Sequence, residues 1–130
     1  MQATPIPRWH QAIATNDLSN LEDLLADDAV FQSPAVHTPQ VGKALVAKYV
    51  RAAMVVLNNP SFRYVDEWSN SKSAVLEFEF TLDGIYGNGV DIIHWNDEGR
   101  ITLFKVMLRP WKALNAAISA MGKQLHGDAE

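Results

Sequence analysis

Apolar residues recur every three or four positions in the first half of the chain, which is the spacing of an amphipathic helix. This spacing predicts helices over residues 8–16, 17–28 and 43–58, with Asp17 at the N-cap of the second. A short apolar run over 29–33 predicts a strand between the second and third helices. The first half is therefore predicted to be helical with one inserted strand.

The second half alternates between apolar and polar residues, which is typical of strands with one buried face. Strands are expected over 61–68, 73–82, 85–95 and 100–109, followed by a helix over 111–121. Asp83-Gly84 predicts a tight hairpin, because a type I′ turn needs positive φ at both central residues. The order of elements predicts an α+β fold: a curved antiparallel sheet wrapped around three N-terminal helices, with a short C-terminal helix and a cavity between the layers.

The two hairpins set the expected strand register, in which Leu76 opposes Asp91 and Asp91 opposes Phe104. One sheet face then carries the more apolar set: Leu76, Phe78, Phe80, Asp91, Ile93, Trp95, Phe104, Val106 and Leu108. The other face carries Glu77, Glu79, Val90, Ile92, His94, Leu103, Lys105, Met107 and Arg109. We expect the first face to be concave, and the second, which mixes apolar and charged side chains, to form a homodimer interface.

Asp91 is the one carboxylate on the predicted concave face. Removal from water raises the pKa of a carboxyl group, so Asp91 is a candidate acid or hydrogen-bond donor near neutral pH. Two alternatives stay open. Asp91 is a structural acid bonded to a nearby donor, or the register is off by one residue, in which case Glu77 and Glu79 face the cavity instead.

His37 is the second catalytic candidate, because an imidazole titrates near neutral pH and this loop lies at the expected rim of the cavity. The alternative is a loop histidine bonded to backbone or solvent. No two histidines or carboxylates share one element at metal-ligand spacing, so no metal and no cofactor are expected.

Composition and charge narrow the classes of function. The 130 residues are 48% hydrophobic and 20% charged, which is typical of one globular domain, expected to span 1–130 with its core at about 5–121. The absence of cysteine excludes a disulfide framework, a thiolate metal site and a cysteine nucleophile. A net charge of -4 without a basic face argues against a nucleic-acid partner.

Neither a signal peptide nor a membrane span is predicted from the sequence. The N-terminus lacks the apolar run of a signal peptide, and the longest apolar stretch, 52–57, is too short to cross a bilayer. We therefore expect a cytoplasmic protein with no membrane partner.

Three segments resemble the nuclear transport factor 2-like superfamily, which includes ketosteroid isomerase, limonene epoxide hydrolase and the SnoaL-like polyketide cyclases. They are the helix-to-strand run over 16–31, the helix start Gly42-Lys43-Ala44, and the run over 89–101. The resemblance extends over roughly 5–121 and implies a cone-shaped α+β fold. It implies no single function, because this fold hosts many activities.

The resemblance to ketosteroid isomerase transfers one of three catalytic groups. The protonated aspartate of that family falls on Asp91, its general-base aspartate falls on Ser33, and its first-helix tyrosine falls on Trp9. A serine hydroxyl is not a base near neutral pH, and an indole only donates. The steroid mechanism is therefore not expected unchanged, whereas the SnoaL-like cyclases need one acid or base in an apolar cavity, which Asp91 satisfies.

Together these inferences predict a protein that binds a small apolar or ring-bearing molecule, with isomerase or cyclase activity by proton transfer through Asp91 and His37. The expected ligand-binding residues are Trp9, Phe31, Ser33, Tyr49, Phe78, Phe80, Trp95, Phe104 and Val106. An aromatic lining suits a flat apolar ligand, although most such residues in proteins are simply core. The alternative is a non-catalytic ligand-binding module or dimeric scaffold.

Overall fold

The computed structural model describes residues 3–126, in which three α-helices pack on a six-stranded sheet. In chain order the elements are α1 (Ile6–Thr15), a 3₁₀ turn (Leu21–Leu24), β1 (Leu25–Gln32), β2 (Gln40–Val41), α2 (Lys43–Leu57), β3 (Arg63–Ser69), β4 (Ser73–Leu82), β5 (Ile85–Trp95), β6 (Ile101–Arg109) and α3 (Trp111–His126). The predicted α+β class, with a curved and unclosed sheet and a C-terminal helix, is confirmed.

The sheet has the strand order β2-β1-β6-β5-β4-β3. The four strands from β3 to β6 form an antiparallel meander, as predicted. β1 pairs in parallel with β6 at the free edge of this meander. The sheet is therefore mixed rather than purely antiparallel. The parallel pairing requires a long crossover, and α2 with the meander supplies it.

The predicted register between β4 and β5 is confirmed, with Leu76 opposite Asp91. The register between β5 and β6 is wrong by two residues, because Asp91 pairs with Val106 rather than with Phe104. One residue of the difference arises at the hairpin, where Trp95 pairs with Ile101 rather than with Arg100, and the other at a bulge between His94 and Trp95. A shift of two residues keeps every side chain on its face, so the predicted division into inner and outer faces holds.

The predicted second helix over 17–28 is wrong, since only the 3₁₀ turn Leu21–Leu24 is helical there. Asp17 does not cap a helix; its carboxylate accepts hydrogen bonds from the backbone and hydroxyl of Ser19. β1 begins at Leu25, four residues before the predicted strand, and Leu25 pairs with Ile101. The buried residues of β1 pack against the core, whereas Asp27 and Asp28 are exposed. The last leucine of the apparent helical pattern, Leu25, is therefore part of a strand.

The remaining boundaries differ less. β2 falls in a segment predicted to be a loop, and α3 continues five residues beyond the predicted end at Met121. The expected core boundary at about 121 is therefore too early for the helix, although the single-domain assignment itself stays a prediction. The extension matters, because the last turns of α3 lie over a cavity described below.

Candidate functional site

Asp91 lies at the middle of β5 on the inner face of the sheet and is fully buried. Its pairing partners are Leu76 on β4 and Val106 on β6, both buried apolar residues. Alternation along β5 turns its side chain inward, as the sequence predicts. It is the only charged or polar residue in the described part of the chain that is buried to this degree.

A chain of two hydrogen bonds ends at the Asp91 carboxyl. Tyr64, on the edge strand β3, reaches across β4 and donates its hydroxyl to Asp91 Oδ2 at 2.6 Å. Trp9, on α1, donates its indole N–H to the Tyr64 hydroxyl oxygen at 2.9 Å. Within residues 3–126, Asp91 Oδ1 is buried and has no hydrogen-bond partner.

This environment shifts the acidity of both groups. Burial raises the pKa of the Asp91 carboxyl from 3.8 to about 7, and the hydrogen bond from Tyr64 partly opposes that rise. Burial and the neighbouring Asp91 carboxyl raise the pKa of the Tyr64 phenol well above its ordinary value. Tyr64 therefore stays a protonated donor, while Asp91 titrates in the neutral range.

An apolar cavity of about 310 Å³ lies between the sheet, α2 and α3. Its lining residues are Phe31, Ser33, Pro34, Ala35, Val36, Gln40, Tyr49, Ala53, Leu57, Val106, Leu108, Leu114, Ala117, Ile118, Met121, Gly122 and Leu125. Within residues 3–125 no charged side chain lines it, and its polar groups are Ser33 just after β1, Gln40 on β2 and Tyr49 on α2. A neutral, mostly apolar molecule matches such a lining.

The cavity lining includes Val106 but not Asp91. Because Val106 is the pairing partner of Asp91 on the neighbouring strand, the carboxyl residue lies one strand away from the cavity wall. The predicted acid therefore lies close to the cavity. Residues of the neighbouring strand β6, such as Val106, form the cavity wall on that side.

His37 is exposed and lines an outer groove adjoining the cavity. The groove and the cavity share Ser33, Pro34, Val36, Val106, Leu108 and Leu114, so the loop after β1 lies between them. The groove forms because β1 ends at Gln32, opposite Lys105, and leaves the end of β6 unpaired on that side. His37 therefore lies in the outer groove at the rim of the cavity and not against Asp91.

Four of the nine predicted ligand-binding residues line the cavity: Phe31, Ser33, Tyr49 and Val106. The other five, Trp9, Phe78, Phe80, Trp95 and Phe104, are buried in the core and outside that lining. The rings of Trp9, Phe78, Phe80 and Phe104 pack on one another or on neighbouring aromatic residues, as Trp9 does edge-on against Phe104 at 5.0 Å. Mutual packing fills the space that a ligand would need.

Sequence reasoning missed two parts of this site. Alternation over the predicted strand 61–68 gives Tyr64 a face but no partner, although an inward-facing phenol needs one. The α3 lining was also missed, although Leu114, Ala117, Met121 and Leu125 recur at helical spacing in the sequence.

Among residues 3–126, no group of three or more histidine or acidic side chains is placed to hold a metal ion. In the same residues, no helix combines the length and the apolar character that crossing a membrane requires.

Comparison with known proteins gives the family. The sequence matches the SnoaL-like domain over residues 6–104. The chain matches none of the curated proteins. Its structure is similar to that of a steroid delta-isomerase from Pseudomonas aeruginosa, with 36% identity, a TM-score of 0.91, and coverage of 95% of this chain and 90% of the other.

Two further structures extend the comparison. A protein conserved in bacteria, with a cystatin-like fold, from Silicibacter pomeroyi DSS-3 is 31% identical, with a TM-score of 0.87 and coverage of 95% and 86%. A nuclear transport factor 2-like protein from Mesorhizobium loti is 17% identical, with a TM-score of 0.69 and coverage of 81% and 88%, and is similar in fold alone. The chain therefore belongs to the SnoaL-like family, and its fold is that of nuclear transport factor 2-like proteins.

Proposed function

We propose that this protein binds a small, neutral, ring-bearing molecule in the cavity under α3 and catalyses an isomerase-type proton transfer without a cofactor. Asp91 acts as the acid or hydrogen-bond donor. The observation that carries this proposal is the Asp91 carboxyl itself: fully buried, held on one oxygen by Tyr64, and without a protein partner on the other within the described residues. Structural carboxylates normally have both oxygens satisfied.

The acidity of Asp91 matches the proposed role. A catalytic acid works best when its pKa lies close to the working pH. Burial raises the pKa of Asp91 to about 7, so the protonated and ionised forms are both populated near neutral pH. A neutral carboxyl in an apolar surrounding can donate to an oxygen that gains negative charge during the reaction.

His37 and Ser33 are proposed to act from the other side of the cavity. Ser33 accepts a hydrogen bond from the Ala35 backbone at 2.9 Å, which leaves its own hydroxyl hydrogen free to donate to a ligand. It cannot serve as the base near neutral pH. His37 at the rim is therefore the proposed second proton-transfer group.

The similarity to a steroid delta-isomerase suggests the first substrate to test. An isomerase of that kind moves a ring double bond, removing a proton from one carbon and returning one to another. We propose a β,γ-unsaturated steroid ketone as the test compound, since it is neutral, apolar and ring-bearing. Formation of the conjugated ketone is followed by ultraviolet absorbance.

Asp91→Asn tests the catalytic role directly. The amide keeps the shape of the side chain but cannot transfer a proton, so kcat should fall by ~10²–10³-fold. Asp66→Asn is the matched control, because Asp66 is an exposed carboxylate on β3, and its kcat should be unchanged. Equal kcat for wild type and Asp91→Asn would refute the acid role.

One observation favours a second function, that of a non-catalytic binding module. Asp91 is fully enclosed and does not line the cavity, as expected for a structural acid. Under this alternative the protein binds apolar molecules without turnover. Binding that leaves the Asp91 carboxyl resonance unchanged, together with no isomerisation by the wild type, would favour it.

We also propose that the protein forms a homodimer through the outer face of the sheet. Val65, Trp68 and Met107 are exposed there although they are apolar, with Met107 51% exposed. Partly exposed apolar residues of β5 and β6 lie among them. A second copy of the same face would bury this mixture of apolar and charged side chains.

A further inference from the structure

The hydrogen bonds between Trp9, Tyr64 and Asp91 run in one fixed direction. An indole N–H is a donor only, so the Tyr64 oxygen must be the acceptor in the bond from Trp9. The Tyr64 hydroxyl then has one hydrogen left to give. Its other partner is Asp91 Oδ2, at 2.6 Å, so the hydroxyl donates to that oxygen.

The direction of the second bond is fixed while Asp91 is ionised, because a carboxylate has no hydrogen and only accepts. In that state the Tyr64 hydroxyl donates to Asp91 Oδ2, and the Trp9 indole donates to the Tyr64 oxygen. Both hydrogens are then paired. The two bonds therefore stabilise the ionised form of the buried carboxyl.

We propose that Trp9 and Tyr64 are positioning residues that hold Asp91 through Oδ2 and stabilise its ionised form. Oδ1 has no protein partner in the described part of the chain, so the bond from Tyr64 is the one that fixes the carboxyl. This inference deepens the proposed function, and its meaning for catalysis rests on that function. The direction of the hydrogen bonds itself is measurable without any ligand.

Few other ionisable groups approach this network in the described residues. The His10 ring packs edge-on against the Tyr64 ring at 5.2 Å, and its Nε2 contacts Glu67 on β3 at 2.6 Å. From β4 and β6 the neighbours of Asp91 are Leu76 and Val106, which carry no charge. Tyr64 is thus the group expected to control Asp91.

The test is an NMR titration of the Asp91 side-chain carboxyl in the full chain. Removing the donor in Tyr64→Phe should raise the pKa of Asp91 by about one pH unit, since a hydrogen bond to a charged group stabilises that form. Trp9→Phe should raise it less, because Tyr64 becomes a weaker donor without the indole. In the Tyr64→Phe background, Trp9→Phe should add nothing.

Tyr86→Phe is the matched control. Its hydroxyl also donates to a carboxylate, Glu79, but on the exposed outer face. It should leave the pKa of Asp91 unchanged. If Trp9 and Tyr64 only fill space, their variants lose stability while the pKa of Asp91 stays at the wild-type value, which would overturn the inference.

A second measurement works even if Tyr64→Phe does not fold. The chain has 3 tyrosines, so Tyr49→Phe with Tyr86→Phe leaves Tyr64 alone for labelling with fluorotyrosine. A fluorinated phenol is a stronger donor and should lower the pKa of Asp91; no change or a rise would refute the proposed bond direction. Because no turnover is measured, an inactive protein with the predicted pKa changes would overturn the proposed function and support this inference.

Discussion

Ionisation of Asp91 carries a free-energy cost in the folded protein. The buried carboxylate is removed from water, and within the described residues only Tyr64 donates a side-chain hydrogen bond to it. Its pKa is raised from 3.8 to about 7. Between those values the folded chain holds a proton that the unfolded chain has released. The contribution of Asp91 to stability is therefore fully present below pH ~4 and is lost as the pH rises to about 7.

This reasoning predicts the pH dependence of the difference between wild type and Asp91→Asn, which stays neutral at all pH values. From about pH 5 to about pH 8, wild type should lose about 3 kcal/mol relative to the variant. The slope is about 1.4 kcal/mol per pH unit below pH 7 and falls to zero above it, where Asp91 is ionised in both the folded and the unfolded chain. Urea unfolding of both proteins at several pH values measures it. All other titratable groups are the same in both proteins and cancel, and a pH-independent difference would show that Asp91 has an ordinary pKa.

At the same scale, the sequence placed Asp91 correctly but not its partner. Alternation along β5 determines which face a residue occupies, and the hairpin at Asp83-Gly84 determines its neighbour on β4. The bond to Tyr64 depends on a side chain reaching across an intervening strand. The periodicity of a strand does not show which side chain on a more distant strand it contacts. The hydrogen bonds between Trp9, Tyr64 and Asp91 are therefore seen only in the structure.

The glycines of β5 give a similar lesson. Gly87 and Gly89 lie on the same face as Asp91, where the missing side chains are compatible either with space for a ligand or with a bulge. A Cβ on Gly87 would lie 2.3 Å from the Phe80 ring, and one on Gly89 would lie 2.3 Å from the Met107 carbonyl oxygen. The space is occupied by the protein itself.

At the scale of elements, α3 determines the cavity. Leu114, Ala117, Ile118, Met121 and Leu125 lie on one side of this helix and form much of the lining. Ala117 is buried there, whereas Ser119, two residues on, is exposed. The two positions therefore allow the same substitution to be made inside and outside the cavity.

We predict that Ala117→Phe blocks ligand binding by filling the cavity with its ring. The dissociation constant for pyrene, a neutral ring-bearing probe, should rise at least ~10-fold, a loss of about 1.4 kcal/mol. The cost in stability should be small because the ring enters empty space rather than a packed core. Ser119→Phe on the exposed side should bind pyrene as wild type does, and tight binding by Ala117→Phe would place the site elsewhere.

The elements themselves were predictable where one pattern dominated. β4 and β5 have the predicted boundaries because strict alternation and a hairpin signal agree. The segment over 17–28 failed because Leu21, Leu24 and Leu25 fit helical spacing while the chain uses them in a turn and a strand. Leu25 is part of a strand because it pairs with Ile101, which lies far along the chain. The spacing of nearby residues contains no information about such a distant partner.

At the scale of the whole molecule, the two sheet faces have different surroundings. Helices cover the inner face, while the outer face has no covering element in the described residues, so Val65, Trp68 and Met107 stay exposed. The sequence predicted this division, since alternation fixes both faces at once. What covers the outer face depends on a second molecule.

If a second copy covers that face, sedimentation velocity at micromolar concentration should give a dimer for the wild type. Met107→Asp should shift it to a monomer, because two carboxylates would be brought into an apolar contact without partners. Val55→Asp is the matched control, since Val55 is 64% exposed but lies on α2, away from the sheet face. A wild-type monomer, or equal dissociation by both variants, would exclude the outer face as the interface.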